Sequence, residues 1–354
     1  MGVFVFLPLV LPLTAWPIAR LAEQQLHPRA ATRLLAAVGG VLALCSTLSL
    51  MLLMVVGTAQ LPGNPLPDAW ADPEVRAVLP YDEVVGQAAI PLLAAVAGAC
   101  AHLVWRHRRL RTRAARALVG VPGLSGLSGL SGSEGGAAGA QGGTLVVLPD
   151  DSRAYAYALP GRRGRAAAWP GGRGRAGARG RSYGRIVVSR AMLANLDARE
   201  RQALIAHEEA HLTASHHRFL LVAGLAARAN PFLRPLRTAV AYTTERWADE
   251  EAAQRVGDRR TVARAIGKAA LISRPAGPGL GTATALAGFA VAGPVPRRVA
   301  ALLGPVPPAP ALPPAWTAAG LALWTAAGGA AVSALSSANA TVTLFTVLRA
   351  ATAL

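Results

Sequence analysis

The stretch Leu204-Ile205-Ala206-His207-Glu208-Glu209-Ala210-His211 decides how the rest of the chain is read. Its core is H-E-x-x-H. On an α-helix, histidines four residues apart share a face, so both rings reach one cation. Glu208 follows the first histidine and is placed to face a water on that cation. The surroundings favour a helix. Asp197 is an N-cap residue, Glu200 stands three positions on as its capping-box partner, and Arg201 to His211 contains neither Gly nor Pro.

Zinc chemistry uses these residue types. Two neutral imidazoles and a third protein ligand leave one position for water. The cation lowers that water's pKa from ~15.7 to about 7. Glu208 then serves as general base, taking the water's proton and handing it to the leaving amine. The bland alternative is a chance pattern on a solvated helix.

The third ligand sets the class. His217 tempts a reading as H-E-x-x-H-x-x-G-x-x-H, but position 214 is Ala where that pattern needs Gly, and no Met follows Met192. His216 and His217 are expected to continue the helix in a packing or surface role. Glu245, in Thr244-Glu245-Arg246-Trp247-Ala248-Asp249, is the better candidate. Asp249 lies one helical turn on, where it can accept a ring N–H from a ligating histidine and fix its tautomer. The alternative for these two is a solvated acidic face shared with Glu250 and Glu251.

At 354 residues the chain is long enough for two domains. It is 53% hydrophobic, with 36 basic against 18 acidic side chains and a formal net charge of +18. Such a balance marks nucleic-acid binding when it forms a patch. Here the arginines gather beside apolar runs and in a Gly-rich insert. Anchoring to a lipid bilayer is the reading, and direct nucleic-acid contact is not expected. Cys45 and Cys100 fall in apolar runs and imply no disulfide framework.

Four runs, at 1–19, 34–59, 84–105 and about 315–336, are long enough to cross ~30 Å of hydrocarbon at about 1.5 Å per residue. The first lacks the leading positive charge of a signal peptide, so an uncleaved span kinked at Pro8 and Pro12 is expected. Arg20, Arg29 and Arg33 follow it, and Arg106 to Arg116 follows the third span. The loop between the second and third carries Asp68, Asp72, Glu74, Asp82 and Glu83 against Arg76. The positive-inside rule places the N-terminus outside and the basic segments in the cytoplasm.

The expected fold is an α-helical polytopic membrane protein of four spans with an inserted α+β gluzincin-type zinc protease domain. Three transmembrane helices occupy 1–118, and a Gly/Ser-rich linker with repeated Leu-Ser-Gly occupies 119–143. A cytoplasmic metallopeptidase domain fills 144–304, with a disordered Arg/Gly insert at 161–184 inside a hairpin. A Pro-rich linker, the fourth span and a short tail make up 305–354. Short strands are expected at 145–148 and 155–159 around the turn Pro149-Asp150-Asp151-Ser152, and again at 185–189. Ile186, Val187 and Val188 are read as the edge on which a substrate backbone pairs. Phe219 to Ala229 is apolar and helical but too short to span.

Several segments together resemble a known family. They are Ala154-Tyr155-Ala156 through Pro160-Gly161, Arg185-Ile186-Val187-Val188-Ser189, Leu196 through Glu200, Leu204 through His211, and Glu245-Arg246-Trp247-Ala248-Asp249. With four spans and the protease between the last two, they resemble the bacterial membrane zinc metallopeptidases of the β-lactam-sensing (BlaR/MecR-type) antirepressor receptors. The form looks like the short actinobacterial one, expected to lack the penicillin-binding sensor domain, and Arg162 to Tyr183 has no counterpart in the family pattern. The resemblance implies one Zn2+ per chain held by His207, His211 and Glu245, with Glu208 as general base. It implies cleavage of the chain itself or of a cytoplasmic winged-helix repressor. Two other readings stand beside it. One is a housekeeping membrane protease similar to the HtpX and CAAX-processing group. The other is a non-catalytic membrane signalling protein.

Overall fold

Uncharged apolar runs fold here as helices longer than a bilayer is thick. The computed structural model describes residues 2–61, 63, 66, 67, 70, 82–121, 144–161, 184–273, 294–307, 314 and 316–351. The 122–143 part of the linker, the insert at 162–183, residues 274–293 and most of 305–314 lie outside the described residues. So do the acidic side chains of the loop between the second and third spans.

The chain divides into two units. The first comprises Met1–Arg106, Phe219–Thr243 and Pro307–Leu354. It begins with α1 (Gly2–Val10), a 3-10 turn at Leu11–Thr14 and α2 (Ala15–Gln25). Next come α3 (Pro28–Ala59) and α4 (Asp82–Ala117). Among the described residues, four segments are long and apolar enough to cross a membrane: Val5–Gln25, Pro28–Ala59, Val84–Ala117 and Leu323–Ala351. The protein is therefore a multi-pass membrane protein. The third helix runs through the basic segment to Ala117, and the fourth continues to Ala351, so both outlast the apolar runs that revealed them.

Local chemistry explains how these helices pack. Pro12 has no N–H to give the carbonyl of Pro8 one turn earlier. Ser46 Oγ on α3 supplies the missing donor at 2.7 Å, and Asn230 Nδ2 donates to that same hydroxyl at 3.1 Å. Gly57 on α3 and Gly86 on α4 bring two backbones into contact. A Cβ at Gly57 would sit 2.2 Å from the carbonyl carbon of Gly86. Small residues permit this approach between membrane helices, where no hydrophobic drive separates protein from lipid. The apolar run Phe219–Ala229 packs here too: Ala223 and Ala226 share a buried cluster with Leu35, Val38 and Leu42.

The second unit comprises His107–Arg218 and Thr244–Val306. It holds a three-stranded sheet of β1 (Thr144–Leu148), β2 (Ala156–Leu159) and β3 (Arg185–Ser189), in the order β1-β3-β2. β1 pairs parallel with β3, and β2 pairs antiparallel with it. The turn at Pro149–Ser152 thus leads from one side of β3 to the other and closes no hairpin between β1 and β2. The hairpin is β2–β3, with the Arg/Gly insert between its strands. This corrects the reading of Ile186, Val187 and Val188 as a substrate edge. β3 is the central strand, both its backbone edges are paired, and all three side chains are fully buried.

Five helices complete the described part of this unit: α5 (Arg190–Ala194), α6 (Ala198–Thr213), α8 (Arg234–Val256), α9 (Arg259–Ile272) and α10 (Val295–Leu303). α7 (His216–Ala229) precedes α8, and α11 (Ala318–Ala351) belongs to the first unit; α4, α7 and α8 contribute residues to both. Asp197 and Glu200 form the expected capping box at the start of α6. Glu200 also accepts from Lys268 Nζ on α9 at 2.7 Å. Gly257, at φ 76°, ends α8 in the left-handed conformation that Gly adopts without strain. The core joins Leu145, Ile186 and Val188 of the sheet to Leu204 of α6, Ile266 of α9 and Leu302 of α10.

Candidate metal centre

Two helices supply the expected residues. The helical period of α6 puts His207 and His211 on one face, and that of α8 aligns Glu245 with Asp249. His207 Nε2 and His211 Nε2 are 3.1 Å apart. Glu245 Oε2 is 3.5 Å from the first ring nitrogen, and Glu245 Oε1 is 3.6 Å from the second. All three donors lie within 4.8 Å of one another. Zinc bonds of about 2.0–2.2 Å put the corners of a tetrahedral site roughly 3.3–3.6 Å apart. The spacing and the two-imidazole, one-carboxylate donor set therefore fit a zinc ion.

The outer nitrogens are also held. His207 Nδ1 lies 3.0 Å from Asp249 Oδ1, an ion-pair contact that leaves Nε2 facing His211 and Glu245. His211 Nδ1 lies 2.9 Å from His216 Nδ1. His216 is fully buried, its ring packed on Trp247 at 4.6 Å between centroids. Were His211 Nε2 to bind a cation, its Nδ1 would donate and His216 Nδ1 would accept.

Charge follows from this arrangement. Burial opposes a positive His207, but the carboxylates of Asp249 and Glu245, which accept from its ring, overcome it and raise its pKa to about 9. The same negative field favours a cation between the rings. Burial, joined by the positive charge of His207 and Arg298, keeps His211 neutral. Burial and the neighbouring His211 push His216 down to about 2, which suits an acceptor. Glu208 is buried beside the ligands. Its pKa is pushed up to about 7 by desolvation against the pull of His207, and the backbone N–H of Ala158 on β2 also faces its carboxylate.

Two contributors escape a reading of the sequence alone. Arg298 of α10 is fully buried. Its Nε and Nη2 donate to Asp249 Oδ2 at 2.8 Å and Oδ1 at 2.6 Å, and its Nη1 is 3.2 Å from Glu245 Oε2. The available signal is an arginine at the apolar face of a short helix, aligned with Val295 and Leu302. His216 gave no such signal. The helix was expected to run through it, but α6 stops at Thr213 and Ser215 takes a φ of 55°. That break turns the His216 ring back onto His211, five residues away. His217 takes no part in the triad.

Residues 173–227 match the family model described as Peptidase family M48. The matched segment contains β3, all of α6 and most of α7, and ends before Glu245. No curated protein and no solved structure matched the chain. Taken with the triad and the spans, the match supports a membrane zinc metalloprotease in which this segment is similar to Peptidase family M48.

Proposed function

We propose that the chain is a membrane-anchored zinc endopeptidase that cuts a protein on the cytoplasmic side, in regulated signalling, with a transcriptional repressor or its own chain as substrate. The observation that carries the proteolytic reading is the meeting of His207, His211 and Glu245 beside a buried Glu208. The cytoplasmic assignment rests on the arginines flanking the spans, and the signalling role on the family resemblance of the quoted segments.

His207, His211 and Glu245 would hold a zinc ion, which would supply Lewis acidity for the water and the scissile carbonyl. The chain's residues do the rest. Glu208 accepts the water's proton and delivers it to the leaving nitrogen, a transfer suited to a carboxyl whose proton affinity lies near neutrality. Asp249 and His216 hold the two rings in the tautomers that keep both Nε2 lone pairs directed inward. The strand edge next to Glu208 belongs to β2. Tyr155 O accepts from Ser189 N, so Tyr155, Tyr157 and Leu159 bond toward β3 and the backbone groups of Ala158 point outward. An extended substrate segment is assigned to that edge in place of β3.

Purified chain should hold one zinc, Glu245→Gln should lose it, and Glu208→Gln should keep it while cleavage stops. Zinc retained by Glu245→Gln, or cleavage retained by Glu208→Gln, rejects the roles given. A second reading is a general membrane protease, favoured because the family match identifies the metallopeptidase without selecting the antirepressor receptors. Proteins trapped by the Glu208→Gln chain separate the two. A winged-helix repressor or the chain itself supports the first reading, and a spread of membrane proteins supports the second.

A further inference from the structure

We infer that Arg298 is a positioning residue of the metal centre, a guanidinium clamp that fixes the third ligand Glu245 and the His207-orienting Asp249 against one another. The inference rests on the zinc endopeptidase reading above.

Asp249 has two oxygens and both are taken by Arg298, one of them shared with His207. The remaining guanidinium nitrogen reaches Glu245 Oε2 at 3.2 Å. One planar group thus spans two carboxylates that stand one turn apart on α8. Arginine's fixed fork of donors allows this, and a lysine ammonium, a single point charge, does not.

The charges show why the clamp is needed. Glu208, Glu245, Asp249 and Arg298 are all buried within the site. Three carboxylates and one guanidinium leave a formal charge of −2, which a divalent cation cancels. Without Arg298 the balance is −3, with Glu245 and Asp249 neighbours in a desolvated space. Like charges so placed repel, and without the guanidinium between them neither carboxylate is held where Glu245 reaches both rings and Asp249 reaches His207 Nδ1.

Arg298 is delivered by its own element. α10 is fastened to the domain by Arg259, which donates to Gly304 O at 2.7 Å and Ala301 O at 2.9 Å. Arg259 also pairs with Glu250 of α8 at 2.7 Å. The helix that carries the clamp is therefore tied to the helix that carries both clamped carboxylates.

The test is zinc affinity of the full-length chain in detergent, with Co2+ substitution as a spectroscopic readout. Arg298→Lys and Arg298→Met should each weaken zinc roughly 10- to 100-fold, the range for losing a group that orients a metal ligand. Both should alter the visible Co2+ spectrum. Asp249→Asn combined with Arg298→Met should cost less than the two single losses together, because the residues act as one network. Arg298→Lys keeps a cation opposite both carboxylates, so its zinc affinity and Co2+ spectrum carry the test if Arg298→Met does not fold. Wild-type affinity and an unchanged Co2+ spectrum in Arg298→Lys, or strict additivity in the double variant, overturn the clamp. A wild-type chain that binds no zinc instead rejects the metalloprotease reading itself.

Discussion

His207 Nδ1 stands 3.0 Å from Asp249 Oδ1 in a space from which water is excluded, both residues being almost fully buried. The contact turns His207 Nε2 toward His211 and Glu245. Asp249→Ala should therefore weaken zinc binding roughly 10- to 100-fold without removing any ligand. Titration with a competing chelator measures it. An affinity equal to the wild type would show that ring orientation is set by packing alone.

The second histidine of the triad is held by a different chemistry. His211 Nδ1 meets another imidazole, that of His216, at 2.9 Å. His216→Phe keeps a ring against Trp247 but offers no acceptor, so a buried N–H on His211 is left without a partner. Such a group costs about 1–3 kcal/mol. Zinc affinity should drop by about tenfold or more, whereas His217→Phe should leave it unchanged. Equal effects of the two substitutions would deny His216 its role.

How much of this was legible in the sequence depends on whether the relation was periodic. His207, Glu208 and His211 follow from one helical turn, and Asp249 follows from Glu245 by the same rule. The four spans follow from length and hydropathy, which need no knowledge of neighbours. The strand order did not follow, because the alternation along β1, β2 and β3 says which residues are buried but not which strand lies in the middle. His216 depended on a backbone break at Ser215. Arg298 depended on where α10 docks, and it lies 49 residues from the aspartate it binds.

The central position of β3 has a consequence for Ile186, once read as a substrate contact. Its side chain is fully buried among Leu145, Met192 and Leu204. Ile186→Ala should lower the stability of the domain by about 2–5 kcal/mol through the cavity it opens. KM for a peptide substrate should be unchanged under conditions where the variant is folded. Thermal unfolding and steady-state kinetics read the two effects separately. A raised KM with undiminished stability would return β3 to the substrate.

In the membrane unit the most demanding contact is between Gly57 and Gly86. A Cβ on Gly57 would lie 2.2–2.7 Å from three backbone atoms of Gly86, and a Cβ on Gly86 would lie 2.7 Å from the Cα of Gly57. Neither partner has a flexible side chain that can move aside, so the helices themselves must separate. Gly57→Ala should therefore destabilise the chain in detergent by about 1–3 kcal/mol, the range for forced overpacking. Gly98, on the same α4, has nothing within 4 Å of its Cβ position. Gly98→Ala should be neutral or stabilise by about 0.4–1 kcal/mol, since it only restricts the unfolded chain. Thermal denaturation of the two variants side by side gives the comparison. If Gly57→Ala melts with Gly98→Ala, the close crossing of α3 and α4 is not what holds these helices together.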